Sequence, residues 1–376
     1  MENNQNEIKR GLKDVAACET RVSFVDPNGQ LYLAGYNIDV LVGRIRHAEA
    51  IYLAWFDALP NRKELADFET ALISEMTLPD AIIERLRSYP SESHPMDVLQ
   101  TEIPHLGMYD PDYNDNSEAA NRRKAIRIVA KVPTIIASLN RIRNNEPLIT
   151  PDKKLDFASN FLHMFLGKKP DELETEVINR YMYLHLDHGL AASTFAARAT
   201  VSTQSDMYSG VTSAIGTLKG KFHGGASERV RGMLDEIESV EGVEAYIQKR
   251  LDAKKRIMGF GHRIYEAEDP RTKHLRELCD DLCKRENKLD LFKKAQEIVY
   301  VVLNKKNLRP NVDFYASTIL DALGIPAVYS TTFFAASRVT GWVAHIIEEL
   351  GQRILIRPTS RYIGKYGKEF VPIDKR

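Results

Sequence analysis

Apolar residues recur every three to four positions along most of this chain, and that period leaves room for little besides helices. In 44-RIRHAEAIYLAWFDALP-60 the residues Ala48, Ile51, Tyr52 and Trp55 keep the spacing, and Pro60 stops the run. The segment 121-NRRKAIRIVAKVPTIIASLNRIRNN-145 has the same rhythm, with Pro133 inside it predicting a kink or break. Further helical patterns cover 153–166, 173–200, 226–250, 271–287, 291–304 and 333–350. Strand-like stretches are few and short. The clearest is 20-TRVSFVDPNGQLYLAGYNI-38, where loose alternation flanks the turn-forming Asp26-Pro27-Asn28-Gly29 and predicts a small hairpin. The expectation is an almost all-α protein with small β pieces near its two ends, without internal repeats or low-complexity tracts.

A chain of 376 residues exceeds one ordinary core and is expected to form two lobes. Its 52 Lys plus Arg balance 52 Asp plus Glu, so total charge gives no pull toward nucleic acid or a membrane surface. A neutral total still allows arginines to gather in one cleft. Cys18, Cys279 and Cys283 form neither a paired framework nor a zinc pattern, and the last two, four apart on a helical stretch, read as packed thiols. The start, MENNQNEIKRGL, has no apolar core of a signal peptide, and no run approaches a membrane span. A cytoplasmic protein is expected.

Glycine and proline cluster at 216-GTLKGKFHGG-225, 258-MGFGH-262 and 308-LRPNVD-313. Each cluster lies between helical stretches and holds one residue able to do acid–base chemistry, as reactive groups on loops often are. His223 precedes Gly224-Gly225 and a helical run. At that helix's N-terminus the dipole would disfavour the imidazolium and leave a neutral hydrogen-bond donor; a partly buried structural histidine is the alternative. His262 follows a Gly-x-Gly turn that is no dinucleotide fingerprint, since the third glycine and a βαβ context are missing, and it also reads as a simple tight turn. Asp313, next to Phe314 and Tyr315, is a candidate base with a raised pKa, although taken alone it reads better as a helix N-cap.

His185 and His188 are three apart and would share one face of a helix, yet no Glu-bearing metalloprotease pattern or further ligand set accompanies them, so no metal is expected. No Gly-x-Ser-x-Gly elbow points to a serine hydrolase. Arg271, Arg338 and Arg357 lie near these loops or toward the C-terminus; together they would suit a di- or tricarboxylate, separately each reads as a surface or helix-end arginine.

Taken in order, His-Gly-Gly, Gly-x-Gly-His, Asp-Pro-Arg, Pro-Asn-Val-Asp and Ser-Arg-x-x-Gly-Trp resemble the citrate synthase family, which includes 2-methylcitrate synthases. The stretches 94-HPMDVLQTEIPHLGMYDPD-112, 121–138 and 160-NFLHMFLGKKP-170 are similar to the family's N-terminal lobe, so the likeness runs roughly from residue 15 to 370. It implies an all-α, two-domain fold: residues 1–223 and 321–376 in a large helical domain, residues 224–320 in a small one, closing over the active site of a homodimer. By matching position, Asp313 would take a proton from the methyl group of an acyl-CoA. His223 would hydrogen-bond the thioester oxygen, and His262 would polarise the ketone of oxaloacetate. His188, Arg271 and Arg338 would bind oxaloacetate, joined by Arg357 from the neighbouring subunit. Arg256, Met258, Gly259, Phe260 and Gly261 would touch CoA, with Lys254 and Lys255 beside its phosphates. The CoA thioester would be a substrate, so no cofactor and no metal is implied.

These roles make physical sense. A thioester α-proton is a very weak acid, and a carboxylate removes it only if the forming oxyanion is stabilised; losing one such donor typically costs ~10²–10³ in rate. Two carboxylates on oxaloacetate account for several arginines. Gly224 and Gly225 are expected to give the thioester room. Departures from the family pattern fall near the pocket. Gly189 and Ala191 replace the polar residues of His-Glu-x-Asn-Ala-Ser-Thr, Lys221-Phe222 stands for Pro-Leu, and Ala316 for a common serine. They bear on acyl preference, where one methylene is worth only ~1–3 kcal/mol. The main expectation is citrate synthesis from acetyl-CoA, with 2-methylcitrate synthesis from propionyl-CoA next. A citryl-CoA or citrate lyase, a non-catalytic CoA-binding relative and a metal-dependent hydrolase stand further off.

Overall fold

The computed structural model describes residues 8–12, 15–262, 264–265 and 267–376, so most of the polar start lies outside the described residues. The expected hairpin is present. Strands β1 (Ser23–Asp26) and β2 (Gln30–Leu33) pair antiparallel with Ser23 opposite Leu33 and Asp26 opposite Gln30. The turn closes by a Gly29 N–H donating to the Asp26 carbonyl at 3.0 Å, while the Asp26 carboxylate accepts from Asn28 N at 2.8 Å. A two-residue β3 (Tyr36–Asn37) extends the sheet on the β2 side. All three strands lie near the N-terminus; among the described residues the C-terminal stretch carries none.

Everything else regular is helix, as the period predicts. The first set comprises α1 (Ile38–Leu41), α2 (His47–Phe56), α3 (Arg62–Ser74), α4 (Asp80–Ser88), α5 (Pro95–Gly107), α6 (Glu118–Arg143), α7 (Phe157–Leu166), α8 (Glu172–His185), α9 (Ala192–Val201) and α10 (Met207–Leu218). Then follow α11 (Ala226–Glu236), α12 (Val243–Asp252), α13 (Pro270–Arg285), α14 (Leu289–Lys306), α15 (Val312–Ala322) and α16 (Ser330–Gln352). Helix α16 is the hub: it packs on α2, α5, α6, α8, α9 and α10, and nearly every residue from Ser330 to Ile346 is buried. Trp55 of α2 donates its indole N–H to the Thr340 carbonyl at 2.9 Å, which pins the first helices to this hub. Helices α11 to α15 pack chiefly on one another and meet the rest through α13 against α8 and α11 against α16. One cluster of buried apolar side chains runs through both sets.

Three local expectations change. Helix α6 runs through Pro133 unbroken; the proline is buried among apolar neighbours, and packing on α16 holds the helix despite one missing N–H donor. Helix α2 ends at Asp57 in the left-handed region (φ 56°), before Pro60. The periodic stretches 173–200 and 226–250 are each two helices. The first is interrupted at 186–191, so His188 sits on a loop while His185 ends α8. Cys279 and Cys283 are packed thiols on α13, their sulfurs 4.0 Å apart. No helix among the described residues is long and apolar enough to cross a membrane.

Candidate active site

The loops around His262 and Asp313 are tied together by a short antiparallel ladder. Gly261 N donates to the Arg309 carbonyl and Asn311 N to the Gly259 carbonyl, both at 2.9 Å. Both glycines of Gly-x-Gly are required here. Their φ values are 77° and 79°, and a Cβ at Gly259 would lie 2.9 Å from Val230 Cγ2 and 3.0 Å from Phe314 Cβ. The side chain of Asn311 binds the ladder again through Gly261 O at 3.0 Å, and its Oδ1 accepts from Asp313 N at 3.1 Å as the N-cap of α15. The cap is therefore Asn311, and the Asp313 carboxylate is free of capping. It accepts from Ser227 Oγ at 2.6 Å. Burial pushes its pKa up to about 6, against the opposing pull of that hydrogen bond and of Arg271.

Each of two histidines has one ring nitrogen committed. His262 Nδ1 accepts from the backbone N–H of Ile264 and of Tyr265, both at 3.1 Å, so its proton sits on Nε2. Burial, then the charge of Arg271, lowers its pKa to about 4. His223 Nε2 accepts from Ser193, Oγ at 2.7 Å and N at 3.4 Å, while Ser193 Oγ itself accepts from the Trp342 indole at 3.1 Å. The hydroxyl proton thus goes to His223, whose own proton sits on Nδ1. Its pKa falls to about 4 through burial and the charge of Arg338. The neutral state expected from the sequence is present, but burial rather than a helix dipole is its cause. The glycines behind it also have another reason. A Cβ at Gly224 would meet Leu218 Cδ1 at 2.6 Å and Leu218 O at 2.9 Å, so the turn needs glycine to lie against the end of α10, not to leave space for a ligand.

His188 is buried on the 186–191 loop, with Nε2 3.0 Å from Tyr265 Oη and its ring edge-on to His262 at 5.2 Å. Burial and then Arg271, His262 and Arg338 hold its pKa well below the usual range. His185 faces elsewhere: its Nδ1–H donates to Tyr181 O, and its carbonyl accepts from Arg338 Nε, both at 2.7 Å. Among the described residues no group of three or more His, Cys, Asp or Glu is arranged to hold a metal ion.

Arg271 and Arg338 are both buried, at 2% exposure, and neither is the surface arginine that each alone suggested. Arg271 binds Asp269 through two bonds, Nε to Oδ1 at 2.9 Å and Nη2 to Oδ2 at 2.7 Å. Arg338 lies over the Phe334 ring at 4.7 Å and has no carboxylate within ion-pair distance among the described residues. Burial lowers its pKa to about 10. A buried cation without a counter-ion is a receptor for an anion. Arg357 is not brought in; it is exposed and forms no hydrogen bond or ion pair with this cluster.

Of the residues read as CoA contacts, Lys254, Lys255 and Arg256 are exposed, Met258, Phe260 and Gly261 half-buried and Gly259 buried. Phe222, 81% exposed, carries the Arg256 guanidinium 5.4 Å from its ring centre. Beside Met258 opens a cavity of about 620 Å³ lined also by Lys219, Arg229 and Arg250, three cations that sequence reasoning missed. It missed Ser193, Trp342, Ser227 and Tyr265 as well. Ser193 and Trp342 stand inside the quoted motifs, but nothing in their spacing told that one would hold the other against His223.

Comparisons with known proteins give the family. Residues 11–359 match the family model described as citrate synthase, C-terminal domain. Citrate synthase 2 of Bacillus subtilis (strain 168) is 44% identical over 368 residues, covering 98% of this chain and 99% of the relative. 2-Methylcitrate synthase 1 of Corynebacterium glutamicum is 35% identical and covers 99% of this chain and 100% of its own. Among solved structures, the ternary complex of carboxymethyl coenzyme A and oxaloacetate with citrate synthase from Thermoplasma acidophilum superposes with a TM-score of 0.93 at 32% identity, covering 98% and 100% of the two chains.

Proposed function

Because the chain belongs to the citrate synthase family, we propose that it condenses acetyl-CoA with oxaloacetate and hydrolyses the citryl thioester to citrate and CoA. One observation carries this reading: two histidines held neutral by burial, each with one N–H that no described residue accepts, lie in the field of the same arginines, Arg271 and Arg338, as a buried carboxylate whose pKa is raised toward neutrality. At pH 7 to 8 Asp313 is largely ionised, yet a stronger base than a solvated carboxylate. It takes the α-proton of the acetyl group while His223 Nδ1–H donates to the thioester oxygen, where charge develops. The new carbon nucleophile attacks the ketone of oxaloacetate, and His262 Nε2–H stabilises the alkoxide. Water then cleaves the citryl thioester and releases the CoA thiol. Arg338, Arg271 and His188 hold the oxaloacetate carboxylates; the buried charge of Arg338, in ion-pair distance of no carboxylate among the described residues, supports that role. No cofactor enters this scheme.

The CoA phosphates meet the basic surface of Lys254, Lys255 and Arg256, next to the cavity lined by Lys219, Arg229 and Arg250. The small domain is 224–320, a division supported by the mutual packing of α11 to α15. A homodimer with Arg357 entering the partner's site completes the reading. The segment beyond α16 supports it, since Ile363, Tyr366 and Phe370 are 91%, 81% and 82% exposed on the single chain and gain cover from a second copy.

The test follows CoA thiol release with oxaloacetate and either acetyl-CoA or propionyl-CoA, beside Asp313→Ala. We expect the larger kcat/KM for acetyl-CoA and a loss of about 10³-fold or more in the variant. A propionyl preference would move the assignment toward the 2-methylcitrate synthases, to which a 35% identical relative belongs. No release from either donor would overturn it.

A further inference from the structure

The N-terminal hairpin is anchored at three points around the loop that carries His188. At its root, Thr20 Oγ1 and Arg21 N donate to Glu348 of α16 at 2.7 and 2.8 Å. On β1, Ser23 Oγ accepts from Gly189 N at 2.7 Å and donates to Asp187 Oδ2 at 2.5 Å, so one buried hydroxyl staples both neighbours of His188. At its tip, Gly29 lies against the loop that leads to Arg271: a Cβ there would be 3.1 Å from Ala267 Cβ and 3.2 Å from Glu268 O.

Asp187 is held from the other side. His345 Nδ1 accepts from Arg198 at 3.1 Å, so its Nε2–H donates to Asp187 Oδ2 at 3.0 Å. Arg198 in turn is fixed by Glu349 at 2.7 Å and Glu348 at 2.9 Å. The hairpin also explains Gly189. That residue adopts φ 57°, and a Cβ on it would come within 3.2 Å of Val25 Cγ2. Val25 of the hairpin fills the space that a side chain at 189 would need.

We infer that the β1–β2 hairpin is a positioning element of the dicarboxylate-binding site, with Ser23 setting the place of His188 by clamping Asp187 and Gly189. Ser23 touches no substrate and acts through the loop. The inference rests on the proposed reading of His188 as an oxaloacetate ligand, and the experiment separates the two. Oxaloacetate binding is measured by calorimetry on the full chain, and steady-state KM and kcat with both substrates, for the wild type, Ser23→Ala, Ser23→Thr and Phe24→Ala. Phe24 is the neighbouring, 60% exposed residue of the same strand and serves as the control.

Removing a hydrogen bond to a buried carboxylate is expected to weaken oxaloacetate binding and raise its KM about 10-fold in Ser23→Ala. The KM for acetyl-CoA stays unchanged, Ser23→Thr restores the wild-type value, and Phe24→Ala matches the wild type. Ser23→Ala binding oxaloacetate like the wild type overturns the inference. So does an equal rise in both KM values, or a thermal midpoint depressed together with them, because a merely structural role produces those. A wild type that binds oxaloacetate but releases no CoA overturns the proposed reaction and leaves the binding ratio to decide the hairpin. A wild type that does not bind oxaloacetate overturns both.

Discussion

Two arginines, Arg271 and Arg338, are equally buried under opposite conditions. Arg271, in the first turn of α13, has its own carboxylate two residues back in Asp269, and the pair is closed to water on both sides, with side chains 3% and 1% exposed. Arg338, in the middle of α16, has a backbone carbonyl and an aromatic face but no carboxylate of its own among the described residues. Burial opposes both charges in the Asp269–Arg271 pair, yet the pairing holds the Asp269 carboxyl below its usual range. At Arg338 burial wins and the pKa falls. One arginine is therefore part of the fold. The other is a charge that no carboxylate among the described residues meets, and an anionic ligand would complete it.

The largest effect should fall on the paired arginine. Arg271→Gln strands a buried Asp269 carboxylate, and we expect the unfolding free energy in urea to drop by about 3–5 kcal/mol, with Asp269→Asn in the same chain recovering most of it. A loss below about 1 kcal/mol would mean that water reaches Asp269 and the contrast is false. Arg338→Gln should do the reverse: stability equal to the wild type or higher, with kcat/KM for oxaloacetate about 10²-fold lower or worse, as when a buried charge loses its partner. If its denaturation midpoint fell as far as that of Arg271→Gln, a hidden structural partner for Arg338 would be indicated.

The smallest effect concerns Asp313, which both arginines draw toward ionisation while burial opposes it. Its folded pKa of about 6 lies above the unfolded value near 3.8. Stability is therefore lost as the pH rises from the unfolded value toward the folded one, and the loss is complete above about pH 6. Asp313→Asn should gain about 1–3 kcal/mol over the wild type at pH 8, a gain that shrinks below pH 6 and vanishes near pH 4. Urea titrations at the three pH values decide this; a variant less stable than the wild type at pH 8 would show that the arginines outweigh burial.

Helices and reactive loops were legible in the sequence because both are local. The three-to-four spacing reports which face is buried, and Gly-Pro clusters report where the chain turns. His223, His262 and Asp313 stood out as candidates through neighbours one or two positions away, but only the order of the motifs along the chain separated them from a structural histidine, a tight turn and a helix cap. What stayed hidden depends on partners far along the chain. Nothing near His223 tells that Ser193 and Trp342 fix its tautomer, and nothing near Arg338 tells that it will be buried with no carboxylate beside it among the described residues. The break before α9 hid because Leu186, Leu190 and Ala191 continue the apolar rhythm, with only Gly189 to mark the loop. Pro133 misled in the other direction, since tertiary packing outweighs one lost backbone bond.

The ladder between residues 259–261 and 309–311 also shapes how such a chain can vary. His262 and Asp313 come from distant stretches of sequence, yet two backbone hydrogen bonds tie the loops that carry them into one unit. The turn between α13 and α14 takes no part in these bonds and can lengthen or shorten without altering them. A single residue added inside either short loop would slip the register and undo the tie. Lineages descended from such a protein are thus free to remodel that turn while these two tripeptides keep their length.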